Sequence, residues 1–203
     1  LSVPILIYGF NYPPKLATVA ALAIVFSAAT AGALPKYRKG NVLVKDALTI
    51  WALGLTTNIG SSFFAKHLSD KFITIGFAII LISAGTSMLL KPVTGFDEKR
   101  RPLGLLVIIS LVIGAMTGIF GVGGGFLAIP VLVNFFHISH EKASGTSLLL
   151  IALNCATAFV THYPKWHEIS WQVPVSMAIS AIVVTSFASS RSKRVPVSVL
   201  RKA

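Results

Sequence analysis

The chain has 203 residues, of which 54% are hydrophobic and 12% charged, with a mean hydropathy of +0.79. That apolar content comes in blocks hydrophobic on every face, which excludes a water-soluble core ringed by amphipathic stripes. The net charge of +12, from 18 Lys and Arg against 6 Asp and Glu, lies almost wholly between those blocks, so it points to basic loops beside a membrane and away from a nucleic-acid surface.

In chain order, a short apolar piece, Leu1–Phe10, comes first. Six longer blocks follow: Leu16–Leu34, Ala47–Ala65, Phe72–Leu90, Leu103–Phe120, Ala143–Thr161 and Val173–Ser189. Each approaches the roughly 20 residues that cross the hydrocarbon layer as helix. A second short piece, Phe126–Phe136, sits between the fourth and fifth blocks. Both short pieces read as half-helices or re-entrant segments. Pro35–Asn41 ends the first long block, and Lys91-Pro92 with Gly95–Pro102 separates the third from the fourth. The single cysteine, Cys155, excludes an internal disulfide and a cysteine metal cluster.

An internal repeat emerges when the chain is shifted by 126 positions. Leu1-Ser2-Val3-Pro4-Ile5-Leu6 then lies on Leu127-Ala128-Ile129-Pro130-Val131-Leu132, Ala17 on Ala143, Leu22 on Leu148, Tyr37 on Tyr163 and Lys39 on Lys165. The expected fold is an all-α polytopic transmembrane bundle of two related, inverted repeats. Residues 1–102 form a first repeat lacking its opening segment, and residues 103–203 a second lacking its last helix. Charge supports the inversion. If each short piece returns across the membrane, 14 basic residues fall on one side and 4 on the other, namely Lys15, Lys66, Lys71 and Lys165. If neither piece crosses, the split is 9 against 9. The positive-inside rule prefers the first arrangement, which is a known transporter architecture.

The strongest local motif is Gly118-Ile119-Phe120-Gly121-Val122-Gly123-Gly124-Gly125-Phe126, leading to Pro130. Glycine favours unwinding, and irregular backbone at membrane depth must be buried in protein or line a cavity. A helix restarting near Phe126 would point free N–H groups and a positive dipole end at an anion. Close helix packing is the other reading, since Gly114 and Gly118, like Gly121 and Gly125, have helix-pair spacing. The two readings are compatible.

This glycine-to-proline segment, with Ala143-Ser144-Gly145-Thr146-Ser147 after it, resembles the TauE/SafE sulfite exporter family. Leu1–Pro4 with Ala17–Leu22 resembles the same motif without its glycine half. The resemblance runs over nearly the whole chain. It implies roughly eight spans and movement of sulfur oxyanions or organosulfur compounds across the cytoplasmic membrane.

The residues expected to bind substrate are Gly121, Gly123, Gly124, Gly125, Pro130, Ser144, Thr146, Ser147 and Asn154, with Pro4 and Thr18 in the first repeat. Asn154 stands out, because a mid-span amide is costly to hide. Asn58, Ser61 and Ser62 add polar groups to the second long block. Helix–helix hydrogen bonding is the competing role for every hydroxyl here. All six acids lie at block ends or in loops, which disfavours a cation pump and favours an anion substrate. His137, His140, His162 and His167 read as solvated interfacial groups, and Trp51, Trp166 and Trp171 include interfacial anchors. Cys155 reads as a small buried residue.

No catalytic residues, metal or cofactor are expected. The expected partners are the lipid bilayer and a small anionic solute, without nucleic acid; assembly into a homo-oligomer stays open. The alternatives are an intramembrane enzyme and a non-transporting scaffold. No Gly-x-Ser-x-Gly or His-Glu-x-x-His pattern occurs to support the enzyme.

Overall fold

A computed structural model describes residues 2–65, 103–120 and 138–191, together with residues 75, 76, 78, 79, 82, 86, 128, 129, 132 and 133. Among them there are helices and turns and no strand. Helix α1 (Ser2–Pro4) continues as a π-helical turn, Ile5–Gly9. The long helices are α2 (Pro14–Arg38), α3 (Val44–Ala65), α4 (Leu103–Phe120), α5 (His140–Thr161) and α6 (Gln172–Arg191), with a 3₁₀ turn at Tyr163–Glu168. The all-α membrane bundle expected from the sequence is the observed class. The bounds of α4 coincide with those expected. In the third block Ile75, Gly76, Ala78, Ile79, Ile82 and Thr86 are helical, and its remainder lies outside the described residues.

One boundary needs correction. Pro35 was expected to end the first long helix, yet α2 runs through it to Arg38. A proline within a helix removes one backbone hydrogen bond, and here that loss falls in the last turn. The stop comes from Gly40, whose φ of +71° suits glycine. Its N–H bonds the Tyr37 carbonyl, and the Asn41 N–H bonds the Lys36 carbonyl, which is a Schellman closure. At the other end, Pro13 and Pro14 open α2 where their missing N–H groups cost nothing. Helix α5 opens on Ser139, whose side chain accepts the Lys142 N–H.

Helices α2 and α5 pack antiparallel. Near the C-terminal end of α2, Lys36 Nζ donates to Ser144 Oγ at the start of α5 (3.0 Å). One turn back, a Cβ on Gly32 would stand 3.2 Å from the Leu148 side chain and 3.0 Å from Thr185 of α6. The Tyr12 hydroxyl, just before α2, donates to the Ser170 carbonyl just before α6, so α6 runs parallel to α2. Helix α3 attaches to α5 and, most extensively, to α4. Contacts therefore cross the division at residues 102 and 103. Two apolar clusters form. One gathers Ala47, Ile50, Ile109, Ile113, Leu132 and Leu150, and the other gathers Leu6, Ala17, Val19, Ala20, Ile24 and Ile169.

The outer surface is apolar as well. Ile59, Ile108, Ile179, Val183, Val184 and Phe187 are all more than half exposed, as lipid-facing side chains should be. Pro14–Arg38 and His140–Thr161 are long and apolar enough to cross a bilayer. The C-terminal ends of α2 and α6 and the N-terminal ends of α3 and α5 lie together. That end carries Lys36, Arg38, Lys39, Lys45, Lys142 and Arg191, while Lys15 lies at the other.

Local features recur 126 residues apart. The Leu6 carbonyl accepts the Tyr12 N–H, and the Leu132 carbonyl accepts the Ile138 N–H. Ala17 and Ala143 bond back to Pro13 and Ser139 in the same way. The buried positions Ala17, Val19, Ala20, Ala21, Ile24 and Ala29 of α2 fall on Ala143, Gly145, Thr146, Ser147, Leu150 and Cys155 of α5, all buried.

Helices α3 and α4 meet at glycine. A Cβ on Gly114 would collide with the Gly54 carbonyl and the Thr57 hydroxyl, and stand 2.6 Å from Gly54 Cα. Overpacking of this kind costs about 1–3 kcal/mol. Gly114→Ala is expected to lower stability by that amount in detergent unfolding. Gly60→Ala on the open face of α3, where nothing lies within 4 Å, should leave it unchanged or higher.

Candidate functional site

The hydroxyls at the start of α5 were expected to face a solute, and here they bind the chain itself. Ser144 receives Lys36 Nζ. Thr146 Oγ1 accepts the Leu43 N–H (3.0 Å) and donates to the Lys142 carbonyl (2.7 Å). Between them, Gly145 lies so close to the Asn41 carbonyl that no side chain would fit. Asn41 Nδ2 completes the seam by donating to Glu141 Oε2 (2.9 Å). Ser147 is buried. This seam docks the first two turns of α5 onto the α2–α3 connection.

The first-repeat candidates lie elsewhere. Pro4 is exposed in α1, and Thr18 is exposed with its hydroxyl on the Pro14 carbonyl, toward the opposite end of α2 from Ser144. Gly121, Gly123, Gly124, Gly125 and Pro130 lie outside the described residues.

Asn154 is placed differently. It lines a small cavity of about 10 Å³ between α3, α4 and α5, shared with Trp51, Gly54, Asn58, Gly114 and Leu150. The antiparallel register of α2 and α5 pairs Lys36 with Ser144 and Gly32 with Leu148. Continued, it brings Asn154 level with Phe26, the midpoint of Pro14–Arg38. The cavity is therefore at mid-depth. It is narrow, with free space for about one water. Gly54 and Gly114 line it where α3 and α4 approach backbone to backbone.

Trp51 supplies a group that sequence reasoning missed, having set it among the interfacial anchors. Its Nε1 is buried and has no hydrogen-bond partner among the described residues. A buried donor left unpaired costs about 1–3 kcal/mol, so it calls for a ligand or a function. By contrast, Trp166 Nε1 donates to the Phe159 carbonyl and Trp171 Nε1 to the Trp166 carbonyl. The signal in the sequence was position: Trp51 and Asn58 are seven apart, two turns along one helix face. An indole N–H and two carboxamides beside an uncharged wall can hold an oxygen-bearing solute by hydrogen bonds and cannot exchange protons with it.

These features define a polytopic helical membrane bundle with a buried, uncharged polar niche. All of its residues, 1–203, match the model of the sulfite exporter TauE/SafE family, and the chain belongs to that family. The resemblance carried by Gly118–Pro130 and Ala143–Ser147 is thus membership. Over 90 residues the chain is 32% identical to a Methanocaldococcus jannaschii protein named as a probable membrane transporter, covering 42% of this chain and 33% of that one. It is 22% identical over 187 residues to the similarly named YunE of Bacillus subtilis, covering 83% of this chain and 68% of YunE. A Xylella fastidiosa protein of the same name is 23% identical over 189 residues, covering 90% of this chain and 72% of its own length. The chain thus spans a third of the first relative and about seven tenths of the other two. No solved structure matches it.

The seam at α5 yields a stability expectation. Thr146→Val keeps the side-chain shape but leaves the Leu43 N–H without its acceptor. The loss should be about 1–3 kcal/mol in denaturant unfolding. Unchanged stability would mean that the hydroxyl is free to serve a solute.

Proposed function

We propose that the chain forms a transport unit for small anions, sulfur-containing ones such as sulfite, a sulfonate or thiosulfate, in a multi-pass arrangement in the cytoplasmic membrane. The observation that carries this reading is Trp51, which lines the cavity with Asn58 and Asn154 and whose buried indole N–H has no hydrogen-bond partner among the described residues. An anion leaving water needs donors, and charge-assisted hydrogen bonds are the strong ones. The described residues that line the niche include no carboxylate to repel it. The family's name and the relatives' names support transport. The basic end is assigned to the cytoplasm by the positive-inside rule.

The features recurring 126 residues apart support two related halves of opposite orientation. Residues 1–102 and 103–203 are proposed as those halves. The glycine run Gly121–Gly125, following α4, is proposed as the helix break that adds backbone donors to the same path, with Pro130 beyond it. With room for about one water, the niche is a closed constriction. Passage of an anion requires α4 to move away from α3 and α5, and the Gly54–Gly114 contact is where they part.

The test is flux of labelled sulfite into vesicles containing the purified chain. Trp51→Phe and Asn154→Leu should each lower it roughly 10- to 100-fold, the loss of one hydrogen bond to a charged group, with helicity retained. Thr18→Ala should keep native flux. No flux above empty vesicles would overturn the transport reading. Native flux in both niche variants would overturn the niche.

A further inference from the structure

A second opening lies at the basic end of the bundle and plays no part in the niche. It is a groove of about 270 Å³, open on one side, between the last turns of α2, the α2–α3 connection and α5. Ala33, Leu34, Tyr37, Val42, Leu149 and Ala152 line it. The walls are apolar, and Leu34 and Tyr37 are about half exposed at its edge. Arg38, beside Tyr37, and Lys45, beside Val44, are exposed, as is Lys39.

The groove has a filled counterpart. A shift of 126 places Phe159 where Ala33 stands, and Ala152 where Phe26 stands. At the counterpart, Phe159 stacks on Trp166 with ring centroids 4.3 Å apart and meets Trp171 edge-on at 5.9 Å. Aromatic rings occupy one end of the bundle; two alanines leave the other end open.

We propose that this groove binds one anionic phospholipid of the surrounding leaflet. An acyl chain lies along the Ala33–Ala152 wall, and the phosphate meets the cations of Arg38, Lys39 and Lys45. Charge decides against a second copy of the chain. A two-fold interface would set these cations against their own copies. An anionic headgroup neutralises them, and basic pockets between membrane helices on the cytoplasmic side recognise such headgroups. Tyr37, exposed between the apolar wall and the cations, suits the headgroup level. The proposal rests on membership of a membrane family and is independent of the transported solute.

Native mass spectrometry of the purified chain in detergent, titrated with phosphatidylglycerol or with phosphatidylcholine of the same acyl chains, tests it. One phosphatidylglycerol should be retained, at least about tenfold more tightly than phosphatidylcholine. Arg38→Gln, Lys39→Gln and Lys45→Gln should each weaken it by about fivefold. Ala152→Phe, which restores the counterpart's ring, should abolish retention, and Leu34→Trp at the exposed edge should do the same without entering the helix interface. Equal retention of the two lipids would overturn the proposal. So would phosphatidylglycerol binding that survives both filled-groove variants, or a groove variant whose only effect is to change the oligomeric state.

Discussion

The close approach of α2 and α5 is the constraint on which the bundle depends. In lipid, apolar side chains gain nothing by leaving one hydrocarbon surface for another, so helices associate through backbone proximity and hydrogen bonds. Both devices operate here. Ala17, Ala20, Ala21, Ala29, Gly32 and Ala33 are buried along α2, and Ala143, Gly145, Ser147 and Ala152 along α5. Lys36 and Ser144 join the two helices. Helix α6 attaches to α2 and α3 to α5, while α4 joins the bundle through α3.

That arrangement divides the polar residues of α5 into two roles. In its second turn, Ser144 and Thr146 engage Lys36 and the Leu43 N–H, which holds the α2–α3 connection against the helix. Two turns beyond Thr146, Asn154 lines a cavity with Asn58, Trp51, Gly54 and Gly114. The same two glycines let α4 touch α3 backbone to backbone. Gly54 and Gly114 thus take part in both the helix contact and the lining of the cavity. Gly114 has the packing role that its helix-pair spacing suggested, here against Gly54.

The long helices were legible because block length and loop charge reflect the thickness of the bilayer and little else. The end of α2 was misread at Pro35, since a proline in a last turn costs a helix far less than one at its centre. Asn154 was legible as a mid-span amide with nowhere polar to go. The engagement of Thr146 was not, because its partner Leu43 is 103 residues away and lends a backbone N–H that no residue type announces. Trp51 was hidden by habit. Tryptophan near the end of a span is usually an anchor, and only its neighbours in space reveal an unpaired N–H. The glycine run that carries the family resemblance, Gly121–Gly125, lies outside the described residues, so its place relative to Asn154 rests on the sequence.

The central claim is that the Trp51 indole meets the transported anion. Intrinsic tryptophan fluorescence of the chain in liposomes, followed during a sulfite titration and compared with Trp51→Phe, addresses it most directly. The account predicts a saturable spectral change in the native chain that vanishes in the variant, because Trp166 and Trp171 already donate to backbone carbonyls away from the niche. No change in the native chain, or the same change in Trp51→Phe, would contradict it.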